Sequence, residues 1–242
     1  MSFVRYTEKI DEILDEIKEE EKDNIKKIAQ KFVETVENDG LIHVFGSGHS
    51  HMLAEEVFYR AGGLAVMSPI FDPGVMLDGG AIKSTKMERL EGLGEIILDD
   101  YDLQEKDLMI VVSNSGRNAV PIDAALKAKE EGLEVVALTS LEYSKANDSR
   151  HKSGKRLFEV ADYVLDNHTP YGDAVVDFEV TKAVPGSTIA ASYIMNSIIS
   201  EAIAVMNEKG MELPVYRSGN IDGADAENKK LAEKYGDRIK HL

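Results

Sequence analysis

The strongest constraint in this sequence is a rhythm of five short apolar runs, LIHVF (41–45), LAVMS (64–68), LMIVVS (108–113), EVVALT (134–139) and DYVLD (162–166), set among loops and helical patterns. Near-continuous apolarity over so few residues suits strands covered on both faces. Strands alternating with helices predict a parallel sheet with right-handed crossovers, an α/β three-layer sandwich. The helical partners read as 50–61, 119–131 and 188–207, with Gly62, Gly132 and Gly210 just past their ends, where a left-handed cap is wanted.

Outside the rhythm, Ile10, Ile13, Leu14, Ile17, Ile25, Ile28, Phe32 and Val36 recur at helical steps, which predicts one long amphipathic helix or two short ones over 3–38. The polar run Glu19–Asn24 marks the possible break, and the apolar stripe is expected to meet the domain or a second subunit. The stretch 69–107 is longer than an ordinary connection and predicts a lid or an extra helix. The segment after Gly210, with a polar helix over 226–240, reads as a peripheral wrap. One domain over 1–242 is expected, with a core of about 22–207, a helical extension over 3–38 and a tail over 210–242.

Charge and composition narrow the partners. Asp and Glu number 44 against 28 Lys and Arg, a formal charge of -16, which repels a polyphosphate backbone and an anionic membrane surface. No nucleic-acid or membrane partner is therefore expected. Cysteine is absent, which removes disulfides, thiolate nucleophiles and Cys-based metal centres, and favours a cytoplasmic setting. The first 22 residues carry no apolar core of the signal-peptide kind.

Chemistry is expected at two corners. After the first run comes FGSGHS (45–50), where Gly46 and Gly48 allow a sharp turn and Ser50 stands where a helix begins. A dinucleotide fingerprint would need glycine at position 51, where His51 stands, and no Gly-Lys-Ser of a P-loop is present. After the third run, SNSGRNAVP (113–121) repeats the pattern, with proline in the tolerated first turn of a helix. Two such corners on one sheet can hold a single phosphate between them. The candidate phosphate-binding set is Gly46, Ser47, Gly48, Ser50, Ser113, Ser115, Gly116 and Asn118.

With both corners in view, the chain resembles the SIS (sugar isomerase) domain family of phosphosugar-binding proteins, phosphoheptose isomerase-like members above all. The resemblance rests on FGSGHS (45–50), VVSNSGRN (111–118), LEVVALTS (133–140), ADYVLDN (161–167) and the helix within 186–206. It implies a five-stranded parallel sheet flanked by helices, a homodimer or dimer of dimers, and a phosphorylated sugar as partner. It also implies that Ser50, Ser113 and Ser115 hold the phosphate. Two positions depart from it. Asn118 stands where the family commonly has Ser or Thr, and Arg60 stands where phosphoheptose isomerases carry the base glutamate.

Aldose–ketose interconversion needs a base to move a proton between C1 and C2, and no redox cofactor. The candidates are Glu88 first and Glu56 second as base, with His51 as a polar partner; no cofactor and no metal is assigned. His49, His51 and Glu55 form a conceivable but weak metal set. The basic stretch around His151 reads as a solvated loop or a cover over an anionic ligand, and 166–174, with His168 and Asp173, as a wall of the sugar pocket. Asn196 and Glu201 on the long apolar helix predict buried partners or a subunit contact. The expected activity is a sugar-phosphate isomerase; the alternatives are a phosphosugar sensor without turnover and a phosphosugar lyase or etherase.

Overall fold

The computed structural model describes all 242 residues. Two helices open the chain, α1 (Ser2–Glu20) and α2 (Lys22–Glu37), so the amphipathic stretch is broken, at Glu21. Then follow β1 (Ile42–Gly46), a 3-10 turn (Gly48–His51), α3 (Met52–Val57), β2 (Met67–Ile70), α4 (Ala81–Met87), α5 (Leu93–Leu98) and β3 (Leu108–Val112). The chain continues through α6 (Ala119–Glu130), β4 (Glu134–Thr139), α7 (Leu141–Lys145), α8 (Leu157–Val160) and β5 (Tyr163–Asp166). A hairpin of β6 (Ala174–Asp177) and β7 (Lys182–Pro185) leads into α9 (Ser187–Glu208), and α10 (Ala224–Tyr235) closes the list.

All five main strands run parallel in the order β2-β1-β3-β4-β5. Alternate residues feed two cores, as the pleat requires. Ile42, Val44, Leu108, Ile110, Val136 and Leu138 face α1, α2, α3 and α9, whereas Phe45, Met109, Val111, Val135 and Ala137 face α5, α6 and α8. The expected α/β sandwich is the observed architecture. Helix α9 is long and apolar enough to cross a membrane by composition, yet it buries Ile194, Met195, Ile198, Ile199 and Met206 in the first core beside α2. Truncating any one of them to alanine opens a cavity that costs about 2–5 kcal/mol.

Three sequence readings shift. Strand β2 lies at 67–70 instead of 64–68, because Leu64 bridges to Val215 of the tail and Ala65 N–H donates to Pro214 O. The helix read over 50–61 is cut to α3, since Phe58 is extended (ψ 135°) and Tyr59 is left-handed (φ 42°). The hairpin at 174–185 is absent from the sequence reading altogether. The long stretch 69–107 holds two short helices, α4 and α5, as an extra-helix reading anticipated.

At the amino edge of the sheet, Asp107 is fully satisfied. It accepts from Leu41 N (2.8 Å), Gln104 N (2.9 Å), Arg238 Nη2 (2.6 Å) and, at 3.1 Å, from His43 Nε2. Burial opposes the charge, but the His43 and Arg238 hydrogen bonds prevail and depress the Asp107 pKa to about 2. Arg238 thus ties the tail beyond α10 to the strands.

Candidate functional site

The strand order reverses between β1 and β3, and in open parallel sheets ligands settle at the carboxyl side of such a switch point. Gly46 pairs with Val112 across the two strands, so the turns that follow them are neighbours. In the first turn Gly46 allows a close approach that no larger residue permits: a Cβ there would lie 2.5 Å from Ser50 O. In the second, Gly116 is left-handed at φ 57°, and its N–H donates to Ser113 Oγ at 3.2 Å.

Helix α6 begins without a side-chain cap, although its N-cap residue, Asn118, belongs to the preferred class. Asn118 turns away: Nδ2 donates to Glu88 Oε1 at 2.7 Å and Oδ1 accepts from Arg150 Nη1 at 2.9 Å. The backbone N–H groups of Ser115, Arg117 and Asn118 donate to no protein acceptor. Free amide hydrogens at a helix start form a seat for an anion.

Glu88 hangs between the two corners. Ser47 Oγ donates to its Oε2 at 3.0 Å, Asn118 donates to its other oxygen, and its main-chain oxygen accepts from Val120 N at 3.1 Å. Burial is the first cause of a raised pKa, only partly opposed by the Ser47 hydrogen bond and the charges of Arg89 and Arg150. A half-buried carboxyl group pushed toward its neutral form is the environment of a general base or acid.

On the α9 side of the turns lies a cavity of about 130 Å³, lined by His49, Ser50, Asn114, Asn167, Asp173 and Thr188 among others, with Leu53, Val112 and Ala191 as an apolar patch. Glu88 is outside this lining. Asp173 is left-handed (φ 64°) and caps α9, accepting from Ser187 N at 2.8 Å and Ser187 Oγ at 2.6 Å. Asn114 Oδ1 accepts from Asn167 Nδ2 at 2.8 Å, which ties the second turn to the end of β5.

Of the residues singled out from sequence, Ser47, Ser50, Ser113, Ser115, Gly116, Asn118 and Glu88 gather around the two turns. Glu56 does not: it pairs with Arg60 and stands half exposed on α3. His51 is buried against Gly48 O, with Nε2 3.4 Å from Glu55, and it is His49 that reaches the cavity. Arg60 lies past the end of α3, beside Tyr216 and Arg217 in a separate groove. Asn196 is exposed, so the buried-partner reading fails for it.

His151 is buried, with a role that sequence alone left open. Its Nε2 lies 3.0 Å from Asp123 Oδ1 and 3.3 Å from Glu91 Oε2, joining α6, the α4–α5 loop and the loop after α7. Ser153 N–H donates to Nδ1 at 3.2 Å, which assigns the ring proton to Nε2 and makes the cluster a hydrogen-bonded anchor. Asp123, its pKa raised by burial, completes it by accepting from Gly92 N at 2.7 Å.

The SIS domain family model matches residues 5–140. A UPF0309 protein of Geobacillus thermodenitrificans is 48% identical over 237 residues, covering 97% of this chain and 95% of the relative. Another, from Caldanaerobacter subterraneus, is 47% identical over 243 residues, covering 98% of each. Among solved structures, a phosphoheptose isomerase from Neisseria gonorrhoeae superposes with a TM-score of 0.52 at 16% identity, over 84% of this chain and 96% of that one. The NanR protein of Vibrio vulnificus, solved with ManNAc-6P, superposes with a TM-score of 0.50 at 15% identity, over 95% of this chain and 67% of that one. These structural likenesses speak for the fold, and the sequence match, together with the paired glycine turns at the switch point, makes this chain a member of the SIS domain family.

Proposed function

We propose that this protein binds a phosphorylated sugar at the carboxyl edge of the sheet and interconverts its aldose and ketose forms. The phosphate takes the open start of α6, with Ser50, Ser113 and Ser115 as hydroxyl partners and the free amides of Ser115, Arg117 and Asn118 as donors. Ser47 and Asn118 serve a different end from the one their motif suggests, since both hold Glu88. Sugar hydroxyls meet the amide and hydroxyl groups of Asn114, Asn167 and Thr188 in the adjoining cavity, and His49 offers an imidazole at its wall.

Glu88 is the base in this reading. Its carboxylate takes the proton from C2 of the aldose, and the C–H electron pair moves through C1 onto the carbonyl oxygen to give an enediolate. A proton passes from the C2 hydroxyl to O1, and the same carboxyl group returns its proton to C1 as the C2 carbonyl forms. The observation that carries this is the suspended Glu88, joined to both turns and pushed toward protonation by burial. The phosphate grip supplies positioning. A phosphoheptose isomerase and the ManNAc-6P-bound NanR protein among the structural neighbours fit a phosphosugar ligand.

A second reading, binding without turnover, is favoured by the position of Glu88 outside the lining of the cavity. One experiment separates them. Hexose, heptose and amino-sugar phosphates are screened by thermal shift, and each binder is incubated in deuterated water while C2 is followed by NMR. Deuterium entering at C2, and failing to enter with Glu88→Gln, supports the isomerase. Binding without exchange for every ligand supports the sensor, and no binding at all overturns both.

A further inference from the structure

Three arginines come to the start of α6 on different segments: Arg89 follows Glu88, whose main-chain oxygen accepts the Val120 N–H of that helix, Arg117 belongs to the second turn, and Arg150 to the loop after α7. None has a carboxylate partner. Arg117 Nε donates to Asp148 O at 2.9 Å and its Nη1 to Asn147 Oδ1 at 3.0 Å, while Arg150 Nη1 donates to Asn118 Oδ1. Of the other five arginines, Arg60, Arg156, Arg217 and Arg238 are ion-paired, and Arg5, far from this corner, donates to the main-chain oxygen of Asp177. Three unneutralised guanidinium groups together are anomalous in a chain of charge -16.

The grouping is built into the fold. Arg150 N–H donates to Arg117 O at 2.8 Å, and the next residue, His151, is the buried anchor on Asp123 and Glu91. Like charges held so close repel; the Arg150 pKa lies below the ordinary arginine value, from partial burial first and then from Arg117 and Arg89. One carboxylate, Glu88, faces them, and Arg89 and Arg150 are the charges that act on it. Three positive charges less one negative leave an excess of two, the charge of a phosphoryl dianion.

We propose that Arg89, Arg117 and Arg150 form a collar that binds the phosphate and lets a dianion sit beside an ionised Glu88, on ground where the family motif offers only hydroxyls and amides. The proposal rests on the phosphosugar reading above. It makes the collar the determinant of phosphate over neutral sugar, and it explains how base and substrate, both anionic, share one corner.

The test is calorimetric binding of a cognate sugar phosphate, the matching unphosphorylated sugar and inorganic phosphate to the wild type, to Arg117→Gln/Arg150→Gln, and to that double variant with Glu88→Gln added. In the double variant, affinity for both phosphorylated ligands falls ~10- to 100-fold, the salt dependence flattens, and unphosphorylated-sugar binding holds. Adding Glu88→Gln, which removes the opposing charge, restores several-fold of phosphate affinity. Lysine at both positions recovers part of the loss and keeps the salt dependence. A folded double variant that binds the sugar phosphate within twofold of wild type overturns the collar, as does a triple variant with no restoration. Wild-type protein that binds no sugar phosphate sinks the underlying reading as well, which separates the two failures.

Discussion

The two edges of one sheet treat a buried carboxyl group in opposite ways. At the amino edge Asp107 gathers two backbone amides, His43 and Arg238, and its pKa falls to about 2. At the carboxyl edge Glu88 has two neutral side-chain donors, and burial lifts its pKa. Full satisfaction fixes a charge for stability; partial satisfaction leaves a group ready to exchange a proton. The same architecture therefore has a sealed end and, in the reading proposed above, a reactive end, and what distinguishes them is the number and charge of the donors.

The contrast can be broken first at its sealed end. Asp107→Ala orphans His43 and the Leu41 and Gln104 amides and leaves Arg238 with Asp102 alone, and should lower the unfolding free energy by ~3 kcal/mol; urea denaturation measures it, and a loss under ~1 kcal/mol would erase the distinction. At the reactive end Glu88→Gln should cut C2 exchange by ~100-fold or more while leaving stability at pH 7 unchanged or slightly raised, because a desolvated charge has been removed. Ser50→Ala with Ser115→Ala should weaken phosphosugar binding by ~10- to 100-fold, read by calorimetry, with the melting temperature of the free protein held.

Acid sharpens the same contrast. Asp107 titrates lower in the folded chain than its unfolded value of about 3.9, so its contribution is whole above that value and is lost as the pH falls toward about 2. The loss amounts to ~2 kcal/mol, and the gap between wild type and Asp107→Ala should narrow by that amount over this range. Glu88 carries the opposite sign: folded protein takes its proton more readily than unfolded, so acid relieves its penalty, and any gain from Glu88→Gln should shrink as the pH falls. The smallest expected effect is at Glu56, where Glu56→Gln should leave binding and exchange within twofold; a tenfold loss would move the base from the loop to α3.

Much of this was open to a reader of the sequence. Runs such as LMIVV are buried on both sides, so their composition alone marks them, and glycines at the ends of β1 and β3 mark where the chain turns. Glu88 could be singled out only through the family resemblance, which implies a glutamate on the segment after the second strand; that connection holds many other acids. What stayed hidden depends on tertiary contacts. AEEVFYR carries a helical pattern, but α3 gives way to Tyr59, which packs edge-on against Tyr216 of the tail with ring centroids 4.9 Å apart. The 174–185 hairpin turns through left-handed Glu179, and Val184 within β7 is left-handed too, residue types that give no turn signal. The arginine collar is invisible in one dimension because its members lie on separate segments, and His151 becomes an anchor only when Asp123 is packed beneath it.

The cap on α9 has a directional consequence. Asp173 already fills the start of that helix with its own carboxylate, whereas the turn leading into α6 keeps the Arg117 and Asn118 amides free because Asn118 looks elsewhere. An incoming polar molecule thus meets one plugged socket and one live socket across the same crevice. Under the phosphosugar reading proposed above, the guest's charged tail docks at one end alone and its uncharged head points toward α9, so the polarity of the guest is decided by the host before any hydroxyl is recognised.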